Sequence, residues 1–288
     1  MNQHPVKKDL NQTSAAEQLF RYKDFAIEYI QFGEGEETLI CFHGFGRTCF
    51  DFGIFAPLLR AGQRIVSINL FAHGGSRFPE SRIEKSPLTP QEWQNMFGAL
   101  LGELGISQFH LIGYSMGGRI VLKTMELFED RILSVLLLAP DGFKINKIYK
   151  FASGTALGKA IYRSMIKNPN LLFATAKRLN QLGVLDGKLN RFVHVHLDTR
   201  EKRVQVYEAW MIYKLFFSDQ DKLAHIIRSR NMKFNMIFGK YDSIIRPFLG
   251  ESFSKKLNSE KPLHIIDTGH RLLDGNTVNY IRQRGLWG

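Results

Sequence analysis

The sequence predicts a mainly parallel α/β sheet covered by helices on both faces, with a helical insert above one edge. Three observations carry that expectation. Short apolar runs of strand length alternate with helix-patterned segments, as strands buried on both faces require. Most of these runs end in small clusters of Gly, His, Ser or Asp. Between about residues 142 and 230 the alternation stops and the chain reads as basic and helical.

Residues 22–31 (YKDFAIEYIQ), followed by FGEGEE, read as a strand pair closed by a glycine turn. Residues 38–43 (TLICFH) are a buried strand ending at HGFG. Residues 48–60 have helical spacing, with Gly62 just past their end. RIVSINLF, residues 64–71, is the next strand and ends at AHGGS. Pro87 and Pro90 bracket a loop, and Thr89 is a good N-cap for the amphipathic run 91–104. QFHLIG, residues 108–113, is a strand running straight into YSMGGR and an apolar helix over 120–128. LSVLLLA, residues 133–139, ends at Pro140-Asp141. After the insert come strands at 233–238 (KFNMIF, before GKYD) and 262–266 (PLHII, before DTGH), then a last helix. The expected organisation is a polar arm (1–20), a core (21–141 and 231–288) and a basic helical cap (142–230).

Composition excludes several function classes. A chain of 288 residues that is 44% hydrophobic and 23% charged suits one large globular domain with an insertion. The longest apolar run near the middle, residues 135–139, is too short to cross a bilayer. The first residues lack the apolar stretch of a secretion signal. Cys41 and Cys49 give neither a disulfide framework nor metal-site spacing, so a reducing cytoplasm is the expected setting. The net charge of +12 is uneven: residues 141–233 hold 18 Lys/Arg against 7 Asp/Glu. Such a field attracts anions, whether an acidic substrate or a phospholipid surface, although a solvated basic face is the plainer alternative. The basic stretches KINKIYK (144–150) and TREKRVQ (199–205) carry no nucleic-acid fold signature, so nucleic acid is not an expected partner.

Gly113-Tyr114-Ser115-Met116-Gly117 matches G-x-S-x-G between a strand and a helix, where a strained turn lifts a serine above the sheet. A serine nucleophile needs a base, and the base needs an orienting acid. Asp242 and His270 follow later strands, in the order Ser, Asp, His, and lie on the same sheet edge. Asp141, which also ends a strand, is the alternative acid and otherwise a cap-hinge residue. The loop His43-Gly44-Phe45-Gly46 is the expected oxyanion hole, with the N–H groups of Phe45 and Met116 aimed at the developing charge. His43 is expected to brace that loop.

HGFG, HGGS (73–76), GYSMGG, GKYD and GH, in that order, resemble the α/β-hydrolase superfamily over about residues 22–285. The resemblance implies an eight-stranded sheet, Ser115, Asp242 and His270 as a triad, and no cofactor. A serine hydrolase of esters or thioesters with an apolar acyl part follows from it. Arg119 opens an alternative. HGF and GYSMGGR are similar to the menaquinone-pathway synthase branch, where an arginine at this position meets a substrate carboxylate during an elimination. The basic cap and the RLLDGN following Gly269-His270 depart from that branch. A non-catalytic ligand-binding protein on the same scaffold is the third reading. His194-x-His196-x-Asp198 has the start of a metal-site spacing, but no further ligands follow, so no metal is expected. Trp210, Tyr213, Phe216 and Phe217 recur with Tyr207 and Leu215 at helical spacing. They form an apolar face that serves either as a pocket ceiling or as cap packing.

Overall fold

The computed structural model describes residues 16–145, 147–168, 197–259 and 262–287, with positions 170, 174 and 178. Eight strands form one sheet: β1 (Gln18–Tyr22), β2 (Phe25–Phe32), β3 (Glu37–Phe42), β4 (Gln63–Ile68), β5 (Phe109–Tyr114), β6 (Ile132–Leu138), β7 (Lys233–Gly239) and β8 (Leu263–Ile266). Their order across the sheet is β1-β2-β4-β3-β5-β6-β7-β8. β1 and β2, and β2 and β4, pair antiparallel; every other neighbour is parallel. The chain turns back across the sheet at β3, which lies between β4 and β5. The C-terminal ends of β3 and β5 therefore flank a crevice of the kind in which such sheets bind ligands.

Eight α-helices are described: α1 (Pro90–Glu103), α2 (Met116–Leu127), α3 (Lys147–Gly154), α4 (Ala156–Lys167), α5 (Arg200–Ile212), α6 (Gln220–Ser229), α7 (Phe248–Leu257) and α8 (Gly275–Arg284). Period-two alternation in the strands feeds both faces of the sheet. In β3, Ile40 and Phe42 join the core under α1, α2, α6 and α7. Leu39 and Cys41 join the opposite core, with Phe52, Phe55, Val278, Ile281 and Trp287. α1 starts as its sequence demands. Thr89 accepts from the Glu92 amide at 3.1 Å, and Glu92 accepts from the Thr89 amide at 3.0 Å. This reciprocal pair satisfies two backbone donors that the first turn leaves open.

The N-terminal pair differs from its expected form. Its turn is Lys23-Asp24, with Lys23 at φ 53°, and the glycine-rich segment after Phe32 instead leads from β2 into β3. Gln18–Phe20, expected in a polar arm, are strand residues, and Phe20 is buried beside Phe25 and Ile27. Residues 49–58, read as helical, form a 3-10 helix containing Gly53 and Pro57, both of which weaken an i→i+4 ladder. α6, within the segment expected as cap, buries Leu223, Ala224, Ile226 and Ile227 in the core shared with α2 and α7. Within the insert, residues from α3, α4 and α5 join Leu197 in a separate cluster of Ala152, Tyr162, Leu197, Val206, Tyr207 and Met211. Arg203 in that segment is buried and donates to the carbonyls of Leu197 (2.9 Å) and Asp198 (3.1 Å), so this cation braces the insert internally. Among the described residues no helix is long and apolar enough to cross a membrane.

Two helical glycines predict opposite outcomes on conversion to alanine. A Cβ at Gly117 would overlap the carbonyl oxygens of Phe42 and His43, whereas one at Gly102 in α1 meets nothing within 4 Å. Gly102→Ala is expected to stabilise the protein by about 0.5–1 kcal/mol, the ordinary helical gain. Gly117→Ala is expected to destabilise it by more than about 2 kcal/mol, because β3 and α2 must separate. Urea-unfolding midpoints read both. A gain at both positions would refute the close strand–helix approach.

Candidate active site

Ser115 sits between β5 and α2 at φ 50°, ψ −117°, a conformation costing about 1–3 kcal/mol in a residue with a Cβ. Packing around the turn holds it there. The Ser115 amide donates to Leu138 O at 2.9 Å, and its carbonyl accepts from Gly118 (2.9 Å) and Asp141 (2.8 Å). Gly113, Gly117 and Gly118 all lie where a Cβ would collide, with Gly117 O, Phe42 O and Pro140 respectively. Such a turn projects a short side chain outward from the sheet edge.

His270, from the loop after β8, lies with Nε2 3.0 Å from Ser115 Oγ and Nδ1 2.7 Å from Asp242 Oδ2. Asp242 follows β7, and its side chain is fully buried. Its other oxygen accepts from the amides of Ile244 (2.8 Å) and Ile245 (2.9 Å), which fix the carboxylate in the plane it needs. The two loops are tied together. Lys240 N donates to Ile266 O at 2.8 Å and Tyr241 N to Thr268 O at 2.9 Å. Gly239 permits this, since a Cβ there would strike the carbonyl of Gly269. Tyr114 adds a further tether. Its hydroxyl donates to the His270 carbonyl at 3.0 Å, and its ring packs 5.4 Å from the imidazole.

Asp141 is engaged elsewhere. It pairs with Arg119, whose guanidinium is buried between the rings of Tyr149 (4.7 Å) and Phe217 (4.4 Å). Burial opposes the Arg119 charge, but Asp141 and the Tyr149 hydroxyl together outweigh it and raise the guanidinium pKa. The alternative acid is thus a partner of Arg119 rather than of His270. Of the expected apolar cap face, Trp210 and Tyr207 pack within the insert, Phe216 is buried, and Tyr213 accepts the Phe71 amide at 2.8 Å. Leu215 breaks the pattern and is exposed, because α5 ends at Ile212 and the helical spacing does not continue. His194 and His196 lie outside the described residues. Asp198 pairs with Lys202 at 2.9 Å. Among the described residues no group of three or more His, Cys, Asp or Glu could hold a metal ion. The thiols of Cys41 and Cys49 are both free and buried, and burial pushes Cys49 up to about 12.

The loop after β3 is held by two buried histidines. His43 Nδ1 donates to Gly44 O at 2.7 Å, which leaves Nε2 to accept the Leu70 amide at 3.0 Å. His73 accepts the Gly46 amide on Nε2 at 3.1 Å and faces Phe71 O through Nδ1 at 3.1 Å. The rings meet edge-on at 5.0 Å. Gly44 is confined by Tyr114, whose ring would lie 2.9 Å from an added Cβ. The sequence alone assigns His73 no role. Its only signal is HGGS, whose Ser76 separately links the Glu28 amide (2.9 Å) and the Asn69 carbonyl (2.6 Å).

Both histidines are held neutral. Burial and the neighbouring His73 lower His43 to about 3, and burial lowers His73 to about 4. Unfolded, each takes a proton near pH 6.5, so acid favours the unfolded state between pH 6.5 and these lowered values. Stability is expected to fall by a few kcal/mol per histidine as pH drops from about 6.5 to 4. Denaturation midpoints of the protein and of His73→Asn across that range test this. The variant should show the shallower slope, and an equal slope would rule out a buried neutral His73.

Comparison with known proteins agrees with this architecture. A family model described as the alpha/beta hydrolase fold matches residues 37–277. A dihydrolipoyllysine-residue acetyltransferase component of the acetoin cleaving system of Pseudomonas putida is 34% identical over 206 residues, covering 68% of this chain and 49% of that protein. The chain spans about half or less of the length of that relative and of its Cupriavidus necator counterpart, at 49% and 42%. A 2-hydroxy-6-oxononadienedioate/2-hydroxy-6-oxononatrienedioate hydrolase of Klebsiella pneumoniae is 26% identical and covers 88% of this chain and 82% of its own. Among solved structures, a thermophilic esterase of Thermogutta terrifontis superposes with a TM-score of 0.65 at 15% identity, over 94% of this chain and 99% of that one. With the sheet order, the strand–turn–helix at Ser115 and a family match spanning most of its length, the chain belongs to the α/β-hydrolase family.

Proposed function

We propose that the protein is a serine hydrolase that cleaves a carboxylic ester or thioester with an apolar acyl part. One observation carries the reading: the continuous line Asp242–His270–Ser115, with contacts of 2.7 and 3.0 Å. In this mechanism Ser115 Oγ attacks the acyl carbon while His270 Nε2 takes its proton. Asp242 keeps Nδ1 protonated and stabilises the imidazolium that forms. The amides of Phe45 and Met116 receive the negative charge on the carbonyl oxygen, and Met116 has the added advantage of heading α2. His270 returns its proton to the leaving alkoxide or thiolate, leaving an acyl-Ser115 ester. Water, deprotonated by the same imidazole, then attacks that ester and releases the acid.

The apolar acyl part is supported by Phe45, which packs against the cap cluster and meets His73 edge-on at 5.3 Å. The elimination alternative needs the Arg119 guanidinium turned toward a substrate carboxylate. Its engagement by Asp141 and two aromatic rings favours hydrolysis. The Klebsiella relative, matched over most of both chains, is also named a hydrolase.

A fluorophosphonate probe and a panel of esters and thioesters test the proposal. Labelling of the protein is expected to vanish in Ser115→Ala and to fall sharply in Asp242→Asn. Turnover should drop by several orders of magnitude in Ser115→Ala and about 10⁴-fold in Asp242→Asn, whose amide selects the wrong imidazole tautomer. Folded protein that neither labels nor turns over any member of the panel would sink the hydrolase reading.

A further inference from the structure

We propose that the corner formed by α3 and α4 is a docking surface for an anionic phospholipid membrane. Assigning lipid esters as the substrate class rests on the hydrolase reading; the docking itself does not. Charge is the first observation. Residues 142–185 contain eight Lys/Arg and no Asp/Glu. Within the described part of that stretch, Lys144, Lys147, Lys150 and Lys167 are exposed. Glu84, from the loop before α1, is engaged by Arg163 at 2.6 Å and by the Tyr207 hydroxyl at 2.8 Å.

The second observation is apolar. Phe151 is 44% exposed, Leu157 63% and Ile161 38%. The helices meet backbone to backbone here, since a Cβ on Gly158 would overlap Phe151 O, which also accepts from Thr155 Oγ1 at 2.9 Å. Phe151 therefore lies beside the first turn of α4. Leu157 and Ile161, one turn apart, share a face of that helix. The other faces of α3 and α4 are occupied: Tyr149, Ala152 and Tyr162 are buried. A corner carrying three large apolar side chains among lysines has the composition of an interfacial element. Its aliphatic and aromatic groups enter the acyl boundary while the ammonium groups remain among anionic headgroups. Nucleic acid would satisfy the lysines but leave Leu157 and Ile161 without a role. An acidic protein would have to bury these side chains with the lysines around them, and lysine is depleted from buried protein interfaces, whereas a headgroup layer keeps the ammonium groups solvated.

The position of this corner joins it to the site. α3 begins six residues after Asp141, and its Tyr149 packs on Arg119, one helical turn from Ser115. A membrane-bound α3–α4 corner would therefore bring acyl chains close to the nucleophile, making lipid carboxylic esters the substrate class.

Co-sedimentation of the full chain carrying Ser115→Ala separates binding from turnover. The vesicles are phosphatidylcholine alone and phosphatidylcholine containing phosphatidylglycerol. Binding is expected only where phosphatidylglycerol is present, and it should weaken as salt rises. Adding Lys147→Gln and Lys150→Gln together should lower the partition coefficient about 25-fold, at roughly fivefold per charge. Phe151→Asp and Leu157→Asp should each lower it about tenfold or more. In the background with Ser115 intact, the same surface substitutions should leave turnover of a soluble ester unchanged. Equal binding to both vesicle types, no binding to either, or binding indifferent to all four substitutions overturns the proposal. Retention by an acidic polypeptide in place of vesicles overturns it as well. Vesicle binding without ester turnover would leave docking standing and remove the hydrolase reading; the reverse result would remove docking alone.

Discussion

The left-handed turn at Ser115 is the constraint on which the rest of the site depends. A serine at φ 50° persists only where its surroundings over-determine it, and three contacts to its backbone amide and carbonyl do so. Those contacts require β3, β5, β6 and the start of α2 to approach more closely than side chains allow. Glycines at 113, 117 and 118 supply the missing volume, each facing a different neighbour. Strain of a few kcal/mol is thus offset by packing, and the hydroxyl is fixed without any side-chain partner of its own strand.

The other two members reach Ser115 through loops, and loops need their own restraint. Amides from the segment after β7 and carbonyls at and beyond the end of β8 are interlocked, so Asp242 and His270 shift together if either moves. Tyr114 extends the same logic from the serine side, because a residue adjacent to Ser115 holds the backbone of His270. On the opposite side of the crevice, His43 and His73 act as neutral hydrogen-bonding struts. A charged imidazole at either position would lose the acceptor nitrogen that holds Leu70 or Gly46. Low pKa values are therefore part of how the loop keeps its shape.

Features set by local chemistry were readable in the sequence. Thr89 with Glu92, the glycines around Ser115, and the strands ending at GKYD and DTGH each depend on a few adjacent residues. The sheet and the juxtaposition of Ser115, Asp242 and His270 follow from those elements once they lie in one parallel order. What was missed depends on distant partners. β1 exists because Phe20 has a core to enter, although its own segment is polar. His73 matters only because Gly46 folds back to it across 27 residues. Leu215 differs for a local reason: α5 stops at Ile212, so the helical period ends before it.

Arg119 shows how far a motif alone can mislead about chemistry. Its place after GYSMGG is equally compatible with a ligand-binding cation and with a structural one. Burying a guanidinium is costly unless it is paired, and here Asp141 supplies the charge while Tyr149 and Phe217 supply the flat faces. Two of those partners belong to the insert and one to the end of β6. The first turn of α2 is consequently joined to the start and the end of the insert through a single side chain. Displacing α3 would strip the guanidinium of an aromatic face while its charge stayed buried, a loss large enough to resist the movement. The position of the insert and the orientation of α2 are therefore coupled, and a cation that the motif suggests for substrate is used to hold the insert to the sheet.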